Sequence, residues 1–142
     1  MNHKNARRPD RARGFSLMEL MVVIAILGIL STIVVKNVMP MIGKGKTNAA
    51  KASVQTIKEA VQLYYMNNSR LPDGLEALAQ PDPNNDDEPY IDNEESLTDP
   101  WENLYDYKQE SSRKFLVTSF GADGLPGGEG EDADITSKDI KG

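Results

Sequence analysis

From Phe15 the chain is apolar for about 21 residues, to Val35, with one charged position, Glu19. At about 1.5 Å rise per residue such a segment spans roughly 31 Å, which predicts a helix able to cross a bilayer. Pro40, Gly43 and Gly45 interrupt the pattern and predict a kink or a meltable stretch. Apolar positions then recur at Ala50, Val54, Ile57, Val61 and Tyr64, spaced by fours and threes, while Lys51, Gln55, Lys58 and Gln62 fall off the stripe. This predicts an amphipathic helix from about Thr47 to Asn67 with one face turned to a core. Asn67 to Pro72 ends it. Asp73-Gly74-Leu75-Glu76 has the spacing of a capping box, with Asp73 as N-cap, and predicts a short helix through Ala79. Gln80 to Asp99, rich in Pro, Asn, Asp and Glu, reads as an exposed loop with little core. Asn103 to Tyr107 alternates, Lys114 to Thr118 does so more loosely, and Lys108 to Arg113 has hairpin length. The order is a long helix, a loop and a small antiparallel sheet, an α+β arrangement.

Charge sharpens this reading. Residues 1–14 carry five Lys/Arg against one acid, Asp10, whereas the remainder has 11 Lys/Arg against 21 Asp/Glu. An acidic body is unsuited to a phosphate backbone, so no nucleic-acid partner is expected. The chain has no cysteine, hence neither a disulfide nor thiol chemistry. Its sole histidine, His3, lies in the basic leader, so no serine has an imidazole base in the body. There is no Gly-rich loop of the GxxxxGK[ST] kind to bind a nucleotide phosphate. These absences point away from an enzyme, although paired acids such as Asp132 and Asp134 are chemically able to do acid–base work.

A basic segment followed by an apolar run also fits a secretory signal peptide or a plain single-pass anchor. The signal peptide needs small residues after the apolar run, where this chain has Ile33-Val34-Val35-Lys36-Asn37. The plain anchor leaves Glu19 unexplained, since an acid at mid-bilayer costs roughly 2.5–3.5 kcal/mol on insertion scales. Basic residues flank the run on both sides, so the positive-inside rule gives only a modest preference for a cytoplasmic N-terminus.

Arg13-Gly14-Phe15-Ser16-Leu17-Met18-Glu19-Leu20 resembles the processing and assembly signature of the type IV pilin superfamily. Three further segments are similar to the major pseudopilin family of type II secretion systems. The first is Tyr64 to Leu78, with Asn67, Leu71-Pro72 and Gly74-Leu75-Glu76-Ala77-Leu78. The second is Asp99-Pro100-Trp101-Glu102-Asn103-Leu104-Tyr105, departing where that family usually has Gly at position 102 and Pro at 104. The third is Ser119 to Ile135, which resembles the family's calcium loop.

The resemblance implies a type IV pilin-like fold with a cleaved leader at 1–14, a transmembrane and assembly helix at 15–35, and a periplasmic domain at 36–142. It implies cleavage by a prepilin peptidase between Gly14 and Phe15, N-methylation of Phe15, and pairing of Glu19 with a neighbouring subunit's terminal amine. It implies Ca²⁺ held by Asp123, Asp132 and Asp134, with Ser119 and a carbonyl near Leu116 or Thr118 as further oxygens. A disordered acidic tail is the alternative for that stretch. The implied function is the principal subunit of a periplasmic homopolymer that works with minor pseudopilins and inner-membrane assembly proteins to export folded proteins through a secretin. The rivals are a major or minor pilin of a surface fibre, and a membrane-anchored calcium-binding adhesin. The major pilins of type IVa fibres usually carry a C-terminal disulfide loop, for which this chain has no cysteine.

Overall fold

A computed structural model describes residues 14–140. The leader expected at 1–14 therefore lies outside the described residues, apart from Gly14. The chain divides into two compact units, Met1–Met39 and Pro40–Gly142.

One α-helix, α1, runs without interruption over Leu17–Asn68, 52 residues, with Pro40 inside it. The segments on either side of Pro40, Gly43 and Gly45, read from the pattern as separate helices, belong to one helix. A proline removes a single helix bond and a glycine weakens a turn by about 1 kcal/mol, amounts that favourable flanking turns offset. Gly43 is buried, covered by the end of the Glu131 side chain.

In the first unit the helix is apolar all round, and its large side chains, from Leu17 to Met39, are exposed. Such a helix needs lipid or other helices around it. Its polar exceptions bond locally: Ser31 Oγ donates to Leu27 O at 2.7 Å and Thr32 Oγ1 to Ile29 O at 2.6 Å. These bonds satisfy hydroxyl donors that apolar surroundings would leave unpaired.

In the second unit the expected stripe is the core face. Ala50, Val54 and Val61 have no exposed area, Ile57 has 1% and Tyr64 6%. They pack with Leu71, Leu75, Leu78, Ile91, Leu97, Tyr105, Val117 and Ile135. Three strands form an antiparallel sheet in the order β1-β2-β3: β1 (Asp106–Gln109), β2 (Phe115–Ser119) and β3 (Ile135–Thr136). Tyr107 faces Val117 across β1 and β2, and Ser119 faces Ile135 across β2 and β3. The first strand starts three residues later than its alternation predicts, because Asn103 closes a turn on Asp99 and Leu104 bridges only to Thr98. β3 has two residues, too few to show a period.

The expected capping box at Asp73 does not form. A 3-10 turn covers Leu75–Ala79 with Gly74 as its N-cap and no side-chain cap bond, while Asp73 pairs with Arg70 at 3.2 Å. The 80–99 segment is also more ordered than its composition suggests. It contains two 3-10 turns, Pro83–Asn85 and Glu94–Leu97, and buries Asp82, Ile91, Leu97 and Asp99.

Candidate functional site

Two regions carry the residues that the sequence singles out. At the start of α1, Ser16 Oγ accepts the Glu19 N–H at 3.1 Å, and Glu19 Oε2 accepts the Ser16 N–H at 2.8 Å. This reciprocal pair is a capping box, and its signal, Ser-x-x-Glu before an apolar run, is legible in the sequence although the reading above passed over it. Within one subunit Glu19 therefore has a partner, and its carboxylate lies by the positive end of the helix dipole. Phe15 is 91% exposed, and among the described residues nothing lies within 4 Å of where a Gly14 Cβ would stand. Phe15 is the first apolar side chain of the run.

The second region is the Gly-rich loop between β2 and β3. Gly121, Gly124, Gly127, Gly128 and Gly130 all have positive φ, between 65° and 104°. L side chains rarely adopt that backbone, so glycine is required where the loop folds on itself. A Cβ at Gly121 would meet Glu131 O at 2.5 Å and Asp132 backbone atoms just beyond. Ala122 N donates to Glu131 O at 2.9 Å, Asp132 N to Glu129 O at 3.2 Å and Asp134 N to Gly127 O at 3.2 Å.

The expected metal ligands are placed as follows. Asp123 Oδ1 accepts the Leu125 N–H and Asp134 Oδ1 accepts the Gly127 N–H, both at 3.0 Å, leaving Oδ2 of each outside these bonds. Asp132 is half-buried beneath Gly128. Leu116 and Thr118 lie in β2, opposite Lys108 and Asp106. The Ser119 hydroxyl is fully buried, donates to Asp99 Oδ2 at 2.7 Å and accepts the Gly121 N–H at 3.3 Å. Among the described residues no group of three or more His, Cys, Asp or Glu is placed to share one metal ion. The donors of the loop are nonetheless all oxygens, carboxylates and turned carbonyls, which fits a hard cation such as Ca²⁺ rather than a thiolate- or imidazole-seeking metal. Backbone carbonyls would have to complete any such shell.

A clasp that the sequence reading did not anticipate holds the root of this loop. Asp99 is 4% exposed, and its Oδ1 accepts the N–H groups of Trp101 at 3.0 Å and Asn103 at 2.9 Å. Its Oδ2 takes the Ser119 hydroxyl, while the Asn103 side-chain amide donates to Gly121 O at 2.8 Å. The turn 99–103 is thereby fastened to the exact point where the glycine loop leaves β2. Within that turn Glu102 sits at φ +73°. The conformation explains why glycine suits the position, and the turn is kept at the expense of strain.

At the other end of the unit, Asp82 gathers the C-terminal end of α1. Asn68 Nδ2 donates to it, as do the Asn84 N–H at 2.9 Å and the Tyr90 hydroxyl at 2.7 Å. These donors, Asn68 foremost, hold the Asp82 carboxyl below its ordinary value, and burial pushes the Tyr90 hydroxyl up.

The chain matches the family model for type II secretion system protein G over residues 37–138, and a prokaryotic N-terminal methylation motif over residues 9–35. It is 38% identical over 135 residues to a type II secretion system core protein G of Pseudomonas aeruginosa, covering 89% of this chain and 94% of that protein. It is likewise 38% identical to the core protein G of Vibrio cholerae, covering 95% and 97% of the two chains. The core protein G of Escherichia coli is 34% identical over 108 residues, covering 70% and 73%.

Proposed function

The chain belongs to the type II secretion system protein G family, and on that premise we propose that it is the major structural subunit of the secretion pseudopilus. The observation that carries the reading is the pairing of two matches on one chain, a methylation motif at 9–35 and the protein G body at 37–138. A type IV pilin-like arrangement, an apolar N-terminal helix and a small antiparallel sheet, supports it. The apolar segment anchors the subunit in the membrane before assembly. Its N-terminus faces the cytoplasm of the inner membrane and residues 36–142 the periplasm. A prepilin peptidase removes residues 1–14, and Phe15 is N-methylated.

The same apolar surface then leaves lipid for a bundle of like helices. There the Glu19 carboxylate exchanges its Ser16 partner for the amine of a neighbouring Phe15. Desolvation offsets much of that attraction, so the pair sets axial register more than it adds net stability. Growth of the homopolymer, with minor pseudopilins and inner-membrane assembly proteins, moves folded proteins out through the outer-membrane secretin. The subunit is structural, with no catalytic role.

Ca²⁺ belongs to this proposal. Asp123, Asp132 and Asp134, with carbonyls of the glycine loop, hold it, and it fastens a loop that has no disulfide. Binding to the folded state alone raises stability by mass action. The full chain in detergent should melt higher in millimolar Ca²⁺ than in chelator, and Asp123→Ala or Asp134→Ala should erase the difference. Equal melting temperatures would remove the ion from the account.

The test of the function is genetic complementation. Deleting the gene should leave the system's exported proteins in the periplasm, and restoring it should return them to the medium. Undiminished export in the deletion strain, with no second protein G gene present, would refute the proposal.

A further inference from the structure

The body carries two large charged surfaces of opposite sign, and the core helix separates them. One is a groove of about 400 Å³ lined by Lys58, Arg113, Lys114 and Lys138, with Glu110 the only acid among its described lining residues. Lys138 bonds Glu110 at 2.6 Å and Lys58 donates to Ile140 O at 3.0 Å, so both are held in place, while Arg113 and Lys114 are exposed. Lys138, then Lys108 and Lys114, hold the Glu110 carboxyl below its ordinary value, as a field of excess positive charge requires. In a body with 21 acids and 11 bases beyond residue 14, this concentration of cations is an exception.

The other surface is the 80–99 segment, which contains no Lys or Arg. Asp86, Asp87, Glu88, Asp92, Glu94 and Glu95 are exposed on it, and none is in an ion pair among the described residues. Asp92 and Ser96 lie beside Ala52, Ser53 and Thr56 of α1. At about 100° per residue, those helix positions fall on one side of the buried stripe, and Lys58 and Gln62, which line the basic groove, fall on the other.

Complementary surfaces on opposite flanks of one subunit form a heterologous contact. Repeated head to tail, such a contact generates a ring where the rotation between copies closes and an open helical filament where it does not. A self-complementary patch would give a two-fold dimer instead.

Resting on the homopolymer reading above, we propose that the basic groove of one subunit receives the acidic 86–95 segment of a second copy of this chain, and that this contact is a lateral joint of the filament. The apolar helices supply attraction without specifying rotation. The charged joint selects the angle between neighbours, the role that charge complementarity plays in interfaces generally. Single exposed pairs contribute little, so the joint depends on several charges together.

The experiment is cysteine cross-linking of the full chain in cells that carry the assembly machinery, aided by the absence of native cysteine. Lys114→Cys combined with Glu94→Cys should yield a ladder of dimers, trimers and higher species on oxidation, and each single variant only background dimer. In parallel, Arg113→Glu/Lys114→Glu and Glu94→Lys/Glu95→Lys should each lose most sedimentable polymer, and the four changes together should restore it. Absence of a ladder, with the wild-type chain polymerising normally, would overturn the joint and leave the homopolymer standing. Reversals that assemble normally, or a loss that the fourfold swap does not repair, would overturn it as well. No polymer from the wild-type chain would instead refute the homopolymer and the joint with it.

Discussion

Replacing Asp99 by alanine tests whether the clasp at the root of the glycine loop holds the body together. The carboxylate accepts three hydrogen bonds, from the Trp101 and Asn103 N–H groups and the Ser119 hydroxyl, at 3.0, 2.9 and 2.7 Å. Trp101 and Asn103 are half-buried, so water can reach their N–H groups once the side chain is gone. Those two losses amount to about 0.5–1 kcal/mol each. Ser119 has no exposed area, and its stranded hydroxyl costs about 2 kcal/mol. The expected loss is therefore about 3 kcal/mol, which lowers the melting temperature of a body this size by about 12 °C at the low end of the usual conversion. Ser119→Ala removes the donor along with its need for an acceptor and should cost about 1–1.5 kcal/mol. The double variant should lose no more than Asp99→Ala alone, a coupling of about 1 kcal/mol. Thermal and urea melts of the full chain in detergent, run as a double-mutant cycle, measure each quantity. A loss below about 1 kcal/mol for Asp99→Ala, or strict additivity with Ser119→Ala, would refute the reasoning.

Other outcomes follow from single positions. Glu102→Gly should stabilise the body by about 1 kcal/mol, since it relieves a non-glycine residue at φ +73°, and an unchanged urea midpoint would contradict that strain. Gly43→Ala and Gly121→Ala should have opposite signs. The atoms nearest a Cβ at Gly43 are the flexible end of Glu131, which can move aside, and the change gains up to about 1 kcal/mol of helix propensity, whereas at Gly121 the Cβ meets fixed backbone at φ +69° and should cost more than about 2 kcal/mol. Equal effects in melts would show the loop to be looser than described. Because the folded Asp82 carboxyl is held below its ordinary 3.8, its contribution is present above that value and disappears as pH falls below it. Asp82→Asn should thus lose less stability than wild type between about pH 5 and pH 3, and identical acid slopes would exclude this role. Glu19→Ala should insert in membranes as well as wild type or better, yet assemble poorly; normal polymer and export in that variant would remove the registry role.

The helix core face was legible because five stripe positions, Ala50 to Tyr64, repeat at helical spacing and all five are buried. That α1 is a single helix was not, because Pro40, Gly43 and Gly45 interrupt the apolar pattern between its two halves. Asp73 failed as a cap for a related reason: Arg70 competes for its carboxylate, and the turn prefers an extended Gly74. The order of the 80–99 segment was hidden by its composition. Asp82 and Asp99 look like solvated acids in sequence, and only the fold reveals the amides and hydroxyls that they collect. β3 and the Asp99–Ser119 bond join residues 16 or more apart, a separation that no local pattern records. At the N-terminus the opposite holds, since the Ser16–Glu19 capping box is wholly local.

The central claim is that this chain is processed at Gly14 and built by the apolar helix into a filament. The most direct measurement is intact-mass spectrometry of the chain recovered from the envelope filaments of a secretion-competent cell. The account predicts a bulk subunit that begins at Phe15 and carries one added methyl group. A filament that lacks the chain, or a chain that begins at Met1 or after Val35, would contradict it.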